Sequence, residues 1–157
     1  MIKKNDFNQF VKEYHDRIYY TTIKIVGNVD DALDCVQDTF VKAYKKYNQF
    51  KGDSTLYTWV NKIAINTALN FVNRNKTNNW NELVEYDKPT KIENENTSFN
   101  KKWLSELSPT ERSVIVLRIY DNMKIREVAQ VLNTSESTVK VAYHRAVKKM
   151  KKIVKNR

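Results

Sequence analysis

Apolar side chains recur at helical spacing along most of the chain. In "NDFNQFVKEYHDRIYYTTIKIV", Phe7, Phe10, Val11, Tyr14, Ile18 and Ile25 fall on one face. The spacing predicts a first helix, closed by Gly27 and Asn28. Asn28 is the expected N-cap of a second helix reaching about Tyr47, with Leu33, Val36, Phe40, Ala43 and Tyr47 as its inner stripe. "FKGDST", residues 50–55, reads as a short loop. Asp53 or Ser54 is then the cap of a third helix running to about Arg74, which should bury Leu56, Trp59, Val60, Ile63, Thr67 and Phe71.

From Asn75 to about Asn100 the periodicity stops. Asn, Thr, Lys and Glu dominate, and the segment reads as an irregular, mobile linker in which Trp80, Leu83 and Tyr86 could dock locally. Helical spacing returns near Lys101. "SPTE" at Ser108–Glu111 combines a serine cap, a proline at the first helical position and a glutamate able to return the capping bond. A short helix follows Asp121–Asn122, with Ile125, Val128, Ala129 and Leu132 facing inward. In "NTSES", Asn133 tolerates a left-handed backbone and Ser135 can cap the last helix, which should bury Val139, Ala142, Tyr143, Ala146 and Met150. The pattern predicts an all-α chain of two small helical domains, residues 1–75 and 101–157, joined by a flexible linker over 76–100. The C-terminal domain reads as a helix-turn-helix.

Composition sharpens this picture. Two glycines and two prolines in 157 residues leave few turns for strands. Cys35 is the single cysteine, which excludes an intramolecular disulfide framework and fits a reducing, cytoplasmic compartment. Residues 1–20 carry no apolar signal-peptide core, and no apolar run approaches the roughly 18 residues of a membrane span. The formal net charge of +10 is unevenly placed. Residues 101–157 hold fourteen Lys and Arg against five Asp and Glu, a net of +9; residues 1–100 hold fourteen against thirteen, a net of +1. Two modules with different partners are expected, the basic one facing a polyanion.

Three polar constellations carry candidate chemistry. In the last helix Lys140, His144, Lys148, Lys151 and Lys155 lie opposite the buried stripe. Lys140 and His144 would reach base edges in a major groove, while Arg145, Lys148 and Lys149 suit phosphates. The plainer alternative is a solvated basic face. In the third helix Lys62, Asn66 and Asn70 recur every four residues beside Tyr57 and Asn61, a surface suited to unstacked single-stranded bases or simply to water. The third is "DDALDCVQDTF", where Asp30, Asp31 and Asp34 match the aspartate-rich pattern of magnesium-dependent diphosphate enzymes. Two small modules offer no large cavity, and no second acidic cluster accompanies the first. Carboxylates in a first helical turn are also favoured by the helix dipole alone. Cys35 reads as a packed small hydrophobe, and His15 has no catalytic partner nearby in sequence. No catalytic triad, zinc spacing or phosphate loop is present, so neither cofactor nor resident metal is expected.

The runs "DDALDCVQDTFVKAY", "FKGDSTLYTWVNKIAINTALNFVNR" and "LSPTERSVIVLRIYDNMKIREVAQVLNTSESTVKVAYHRAVKKMKK", in this order, closely resemble bacterial RNA polymerase sigma factors of the extracytoplasmic-function type, over about residues 7–74 and 101–152. The resemblance implies a specificity subunit that binds core RNA polymerase and directs promoter-specific initiation without being an enzyme. It places Asp31, Asp34, Gln37 and Asp38 on the polymerase-docking helix, supported by Val36 and Phe40. It places Phe50, Lys51, Asp53, Ser54, Tyr57, Trp59, Lys62 and Asn66 at the minus-ten element, where the non-template strand of the promoter is melted. It places Thr138, Lys140, Val141, His144, Arg145 and Lys148 at the double-stranded minus-thirty-five element. Many members of the family are held inactive by an anti-sigma factor. Leu33 stands where the family usually has an acid, and Lys124 and Arg126 stand at a helix start that usually offers a hydroxyl and an acid. Asn133 and Ser137 occupy positions where glycine is frequent. Two rivals remain at this point: a DNA-binding regulator with a helical dimerising half, and the diphosphate enzyme.

Overall fold

The computed structural model describes residues 4–75 and 100–155. Among them there is no strand. They form two compact units, one ending at Asn75 and the other holding the helices from residue 100 onward. The expected linker, with Trp80, Leu83 and Tyr86, lies outside the described residues.

The first unit is three helices, α1 (Lys4–Val26), α2 (Val29–Lys45) and α3 (Leu56–Asn75), each packed on the other two. Gly27 ends α1 at φ 80°, a left-handed conformation that a side chain would oppose, and its N–H donates to Ile23 O at 2.7 Å. Asn28 begins α2 as anticipated, its side chain accepting from Asp31 N at 3.1 Å. Phe7, Phe10, Ile18, Val36, Phe40, Ala43, Val60 and Ala64 make the core.

Four local expectations are corrected. Helix α2 stops at Lys45, and Tyr47 belongs to a 3₁₀ turn, Tyr47–Gln49. Leu33 is 45% exposed; Ala32, Cys35 and Val36 take the inner positions, on the same face as Thr39, Phe40 and Ala43. Neither Asp53 nor Ser54 caps α3. The cap is Thr55, whose Oγ1 accepts from Thr58 N at 3.1 Å. The buried row of α3 is only partly the one expected: Val60 and Thr67 are inside as read, joined by Asn61, Ala64, Ile65 and Ala68, while Leu56, Trp59, Ile63 and Phe71 are half-buried at the rim. Two helices converge on α3, so its buried sector is wider than a single stripe.

The second unit comprises α4 (Asn100–Glu106), α5 (Pro109–Ile115), α6 (Ile125–Leu132) and α7 (Glu136–Lys155). The capping box at α5 is complete: Glu111 N donates to Ser108 Oγ at 3.2 Å, and Ser108 N donates to Glu111 Oε1 at 2.9 Å. After α5 the chain widens into a π segment, Val116–Tyr120, closed by Asp121 N donating to Val116 O at 3.1 Å. The rephasing lets Val114, Ile115, Val116 and Leu117 all be buried in succession. Arg118 Nη1 then donates to Met123 O at 2.8 Å and fixes the approach to α6.

Three residues join α6 to α7. Asn133 is left-handed at φ 52°, ψ 50°, and Thr134 N reaches back to Ala129 O at 3.0 Å. Ser135 Oγ accepts from Thr138 N at 3.1 Å and starts α7. Val139, Ala142 and Ala146 are buried as expected; Ile153 joins them, whereas Tyr143 and Met150 are only half-buried. Lys124 begins α6 with no side-chain cap. Among the described residues no helix is long and apolar enough to cross a membrane.

Candidate nucleic-acid interface

On α7 the buried residues Val139, Ala142, Ala146 and Ile153 define an inner side, which leaves Lys140, Val141, His144, Arg145 and Lys148 on the exposed one. Among the described residues none of the cations Lys140, Arg145 and Lys148 forms an ion pair. They are the free charges of a helix braced from behind by α5 and α6. Thr138 is exposed, but its hydroxyl sits 2.8 Å from that of Ser135 within the cap, a supporting position. Lys149, expected to suit a phosphate, is instead 2.7 Å from Glu111 Oε1. No local pattern signals this pairing, because 38 residues separate the partners.

The acidic block forms the outer side of α2. Asp30, Asp34, Gln37 and Asp38 are exposed and Asp31 is half-buried. Burial raises the Asp31 carboxyl above its ordinary value, with Asp34 and Asp30 adding repulsion. Val36 and Phe40 are buried beneath and support the face. Cys35 is buried, and desolvation together with Asp38, Asp31 and Asp34 pushes its thiol up to about 11, so it stays protonated at neutral pH. Among the described residues no three His, Cys, Asp or Glu side chains gather as a set able to hold a metal ion. His15 stacks on Phe40 with ring centroids 6.0 Å apart, and its Nδ1 lies 3.3 Å from Asp16 Oδ1.

Sequence reasoning missed an apolar row beside these acids. Leu33, Val41 and Tyr44 are 45%, 46% and 50% exposed. With Val36, Gln37 and Phe40 they line a shallow hollow of about 470 Å³. A second apolar spacing along α2, at positions 33, 37, 41 and 44 with only Gln37 polar, was the available signal.

The third surface is the loop before α3. Lys51, Gly52, Asp53 and Ser54 are exposed. Gly52 sits at φ 77° with open space where a Cβ would point, so backbone conformation, and not crowding, selects glycine. Phe50 is half-buried between Tyr47 and Trp59, at ring distances of 6.4 and 5.3 Å. These rings hold the loop against the start of α3. Lys62 is exposed and Asn66 half-buried on that helix, but Asn61 is fully buried and leaves the polar face expected for it. Tyr57 is half-buried against the Tyr14 ring at 5.3 Å, with the Arg17 guanidinium 4.2 Å above its own ring.

A helix-turn-helix with a free basic helix, and a separate helical unit with an acidic and apolar outer face, define a class: a DNA-binding protein equipped to dock on another protein. Comparison with known proteins narrows that class. Residues 10–77 match the model for sigma-70 region 2 and residues 102–150 that for sigma-70 region 4. Among curated relatives, RNA polymerase sigma factor SigV of Bacillus subtilis is 27% identical over 90% of this chain and 86% of its own. The ECF RNA polymerase sigma factor SigW of the same species is 27% identical over 96% and 91%. The sigma factor RpoE of Bartonella quintana, solved in complex with the anti-sigma factor NepR, shares the fold at a TM-score of 0.74 and 24% identity, over 96% of this chain and 97% of that one. The chain belongs to the sigma-70 family of RNA polymerase sigma factors, in its extracytoplasmic-function group.

Proposed function

We infer that the chain is a dissociable specificity subunit, which binds core RNA polymerase, carries it to a promoter and helps open the DNA. In this reading Asp31, Asp34, Gln37 and Asp38 dock on the polymerase. Lys140, Val141, His144, Arg145 and Lys148, with Thr138 in support, read the minus-thirty-five element. Phe50, Lys51, Asp53, Ser54, Tyr57, Trp59, Lys62 and Asn66 hold the melted minus-ten strand. Residues 1–75 and 101–157 are then the two working domains, and the chain itself performs no covalent step. Its place of action is with the polymerase in the cytoplasm.

The observation that carries this reading is the separation of charge by unit. Free cations line α7, while α2 presents carboxylates beside exposed apolar side chains. A polyanion repels the second surface, and a basic, partly apolar protein surface attracts it. A stand-alone DNA-binding regulator accounts for α7, but to dimerise through the α2 face it would have to bring the exposed carboxylates of two copies together, where like charges repel. An anti-sigma factor, a partner carried over from relatives named for such complexes, would cover α2 in competition with the polymerase.

Reconstituted transcription tests the reading. Purified chain plus core polymerase should yield promoter-dependent transcripts from a library of DNA templates. A mixture that leaves every template silent, although α7 still binds duplex DNA, would favour the stand-alone regulator.

A further inference from the structure

Arg17 belongs to none of the surfaces assigned above. It lies on α1, far in sequence from the loop and from α3, yet its guanidinium carbon sits 4.2 Å above the centre of the Tyr57 ring. Arg17 is exposed, and Tyr57 is half-buried in the first turn of α3, two residues before Trp59. Among the described residues Arg17 forms no ion pair or hydrogen bond, so the ring is what orients it. Two acids share its stretch of helix without pairing with it: Asp16 has the His15 Nδ1 contact at 3.3 Å, and Glu13 lies one turn back.

A guanidinium held over an aromatic face still has N–H groups to offer a further partner. Those groups match phosphate oxygens, and the outer plane of a guanidinium also stacks on unpaired bases. The Tyr57 ring therefore carries a cation over one face. We propose that Arg17 is a further DNA-binding residue of the minus-ten surface, held by Tyr57 to contact a backbone phosphate of the melted non-template strand. This rests on the sigma-factor reading. Tyr57, already assigned to the minus-ten strand, also positions Arg17, and Arg17 makes the phosphate contact.

The test uses the full chain bound to core polymerase and a fluorescent single-stranded oligonucleotide taken from DNA that co-purifies with the wild-type complex. Anisotropy is followed across a potassium chloride series. Losing one phosphate contact on a single strand makes the slope of log K against log salt shallower by about 0.7. Arg17→Ala should show that change with a several-fold weaker affinity, while binding of a duplex minus-thirty-five fragment stays at the wild-type level. Arg17→Lys should keep the slope, and Tyr57→Ala should weaken binding by releasing the side chain. An Arg17→Ala complex with wild-type slope and affinity overturns the proposal, and so does an equal loss for both DNAs. A wild-type complex that binds no single strand overturns the sigma-factor reading instead.

Discussion

Lys149 Nζ lies 2.7 Å from Glu111 Oε1, the same oxygen that accepts from Ser108 N at 2.9 Å. One carboxylate therefore closes the first turn of α5 and anchors α7. Burial acts to raise the Glu111 carboxyl, but hydrogen bonds from Lys149 and Ser108 outweigh it, and the group sits below its ordinary value. A lowered folded pKa contributes stability above the unfolded value and loses it as pH falls through the folded one. The wild-type second unit should thus weaken on acidification below the ordinary glutamate range. Glu111→Gln should flatten that dependence and cost about 1–3 kcal/mol at neutral pH, read by urea unfolding across pH.

The docking face predicts a selective loss. Charge reversal at Asp34 and Asp38, both exposed, should weaken binding to core polymerase while leaving duplex DNA binding by α7 intact. Titration of core with labelled chain, beside a DNA gel-shift, measures the two. Equal losses would remove the division of labour between the units.

On α7 base readers and phosphate contacts should separate by sequence dependence. Lys140→Ala or His144→Ala should cost roughly 1–3 kcal/mol on the preferred promoter, with less discrimination against variants of it. Lys148→Ala should weaken all duplexes alike and reduce the salt slope by about 0.9. A promoter-variant panel titrated at two salt concentrations gives both quantities.

Asn133 holds a left-handed backbone at φ 52° between α6 and α7. Glycine adopts that conformation without a Cβ penalty, so Asn133→Gly should retain or slightly raise the melting temperature. Asn133→Val should lower it, since a β-branched side chain is strained there. Thermal unfolding of the two variants decides the matter.

Cys35 should resist alkylation in the native protein at pH 8, being buried with a thiol pushed up to about 11. Unfolding restores an ordinary thiol, so reaction with iodoacetamide should track the unfolded fraction in urea. A folded value raised above the unfolded one also means that stability declines as pH rises past the unfolded thiol's range. Rapid native labelling at pH 8 would show that the site opens readily.

Much of the local architecture was legible because it depends on neighbours in sequence. The Asn28 cap, the Ser108–Glu111 box, the left-handed Asn133 and the Ser135 cap all form as read, since each bond spans only a few residues. The basic side of α7 was readable for the same reason: its residues recur at one helical period. Leu33 was misjudged because hydrophobicity marks a side chain as suited to burial but does not say which face of α2 meets α1 and α3. Asn61 failed in the opposite direction, a polar residue drawn inside by its place on α3.

By itself the sequence determined where the helices lie, most of their caps, the division of charge between two modules and the family to which the chain belongs. These follow from short-range backbone geometry and from counting. The tertiary structure alone decided that Lys149 is held by Glu111, that Leu33, Val41 and Tyr44 stand beside the acids, and that Arg17 lies over Tyr57. Each is a relationship between side chains set by the rotation and packing of helices. Hydrophobic burial fixes those rotations only when every helix of a unit is in place.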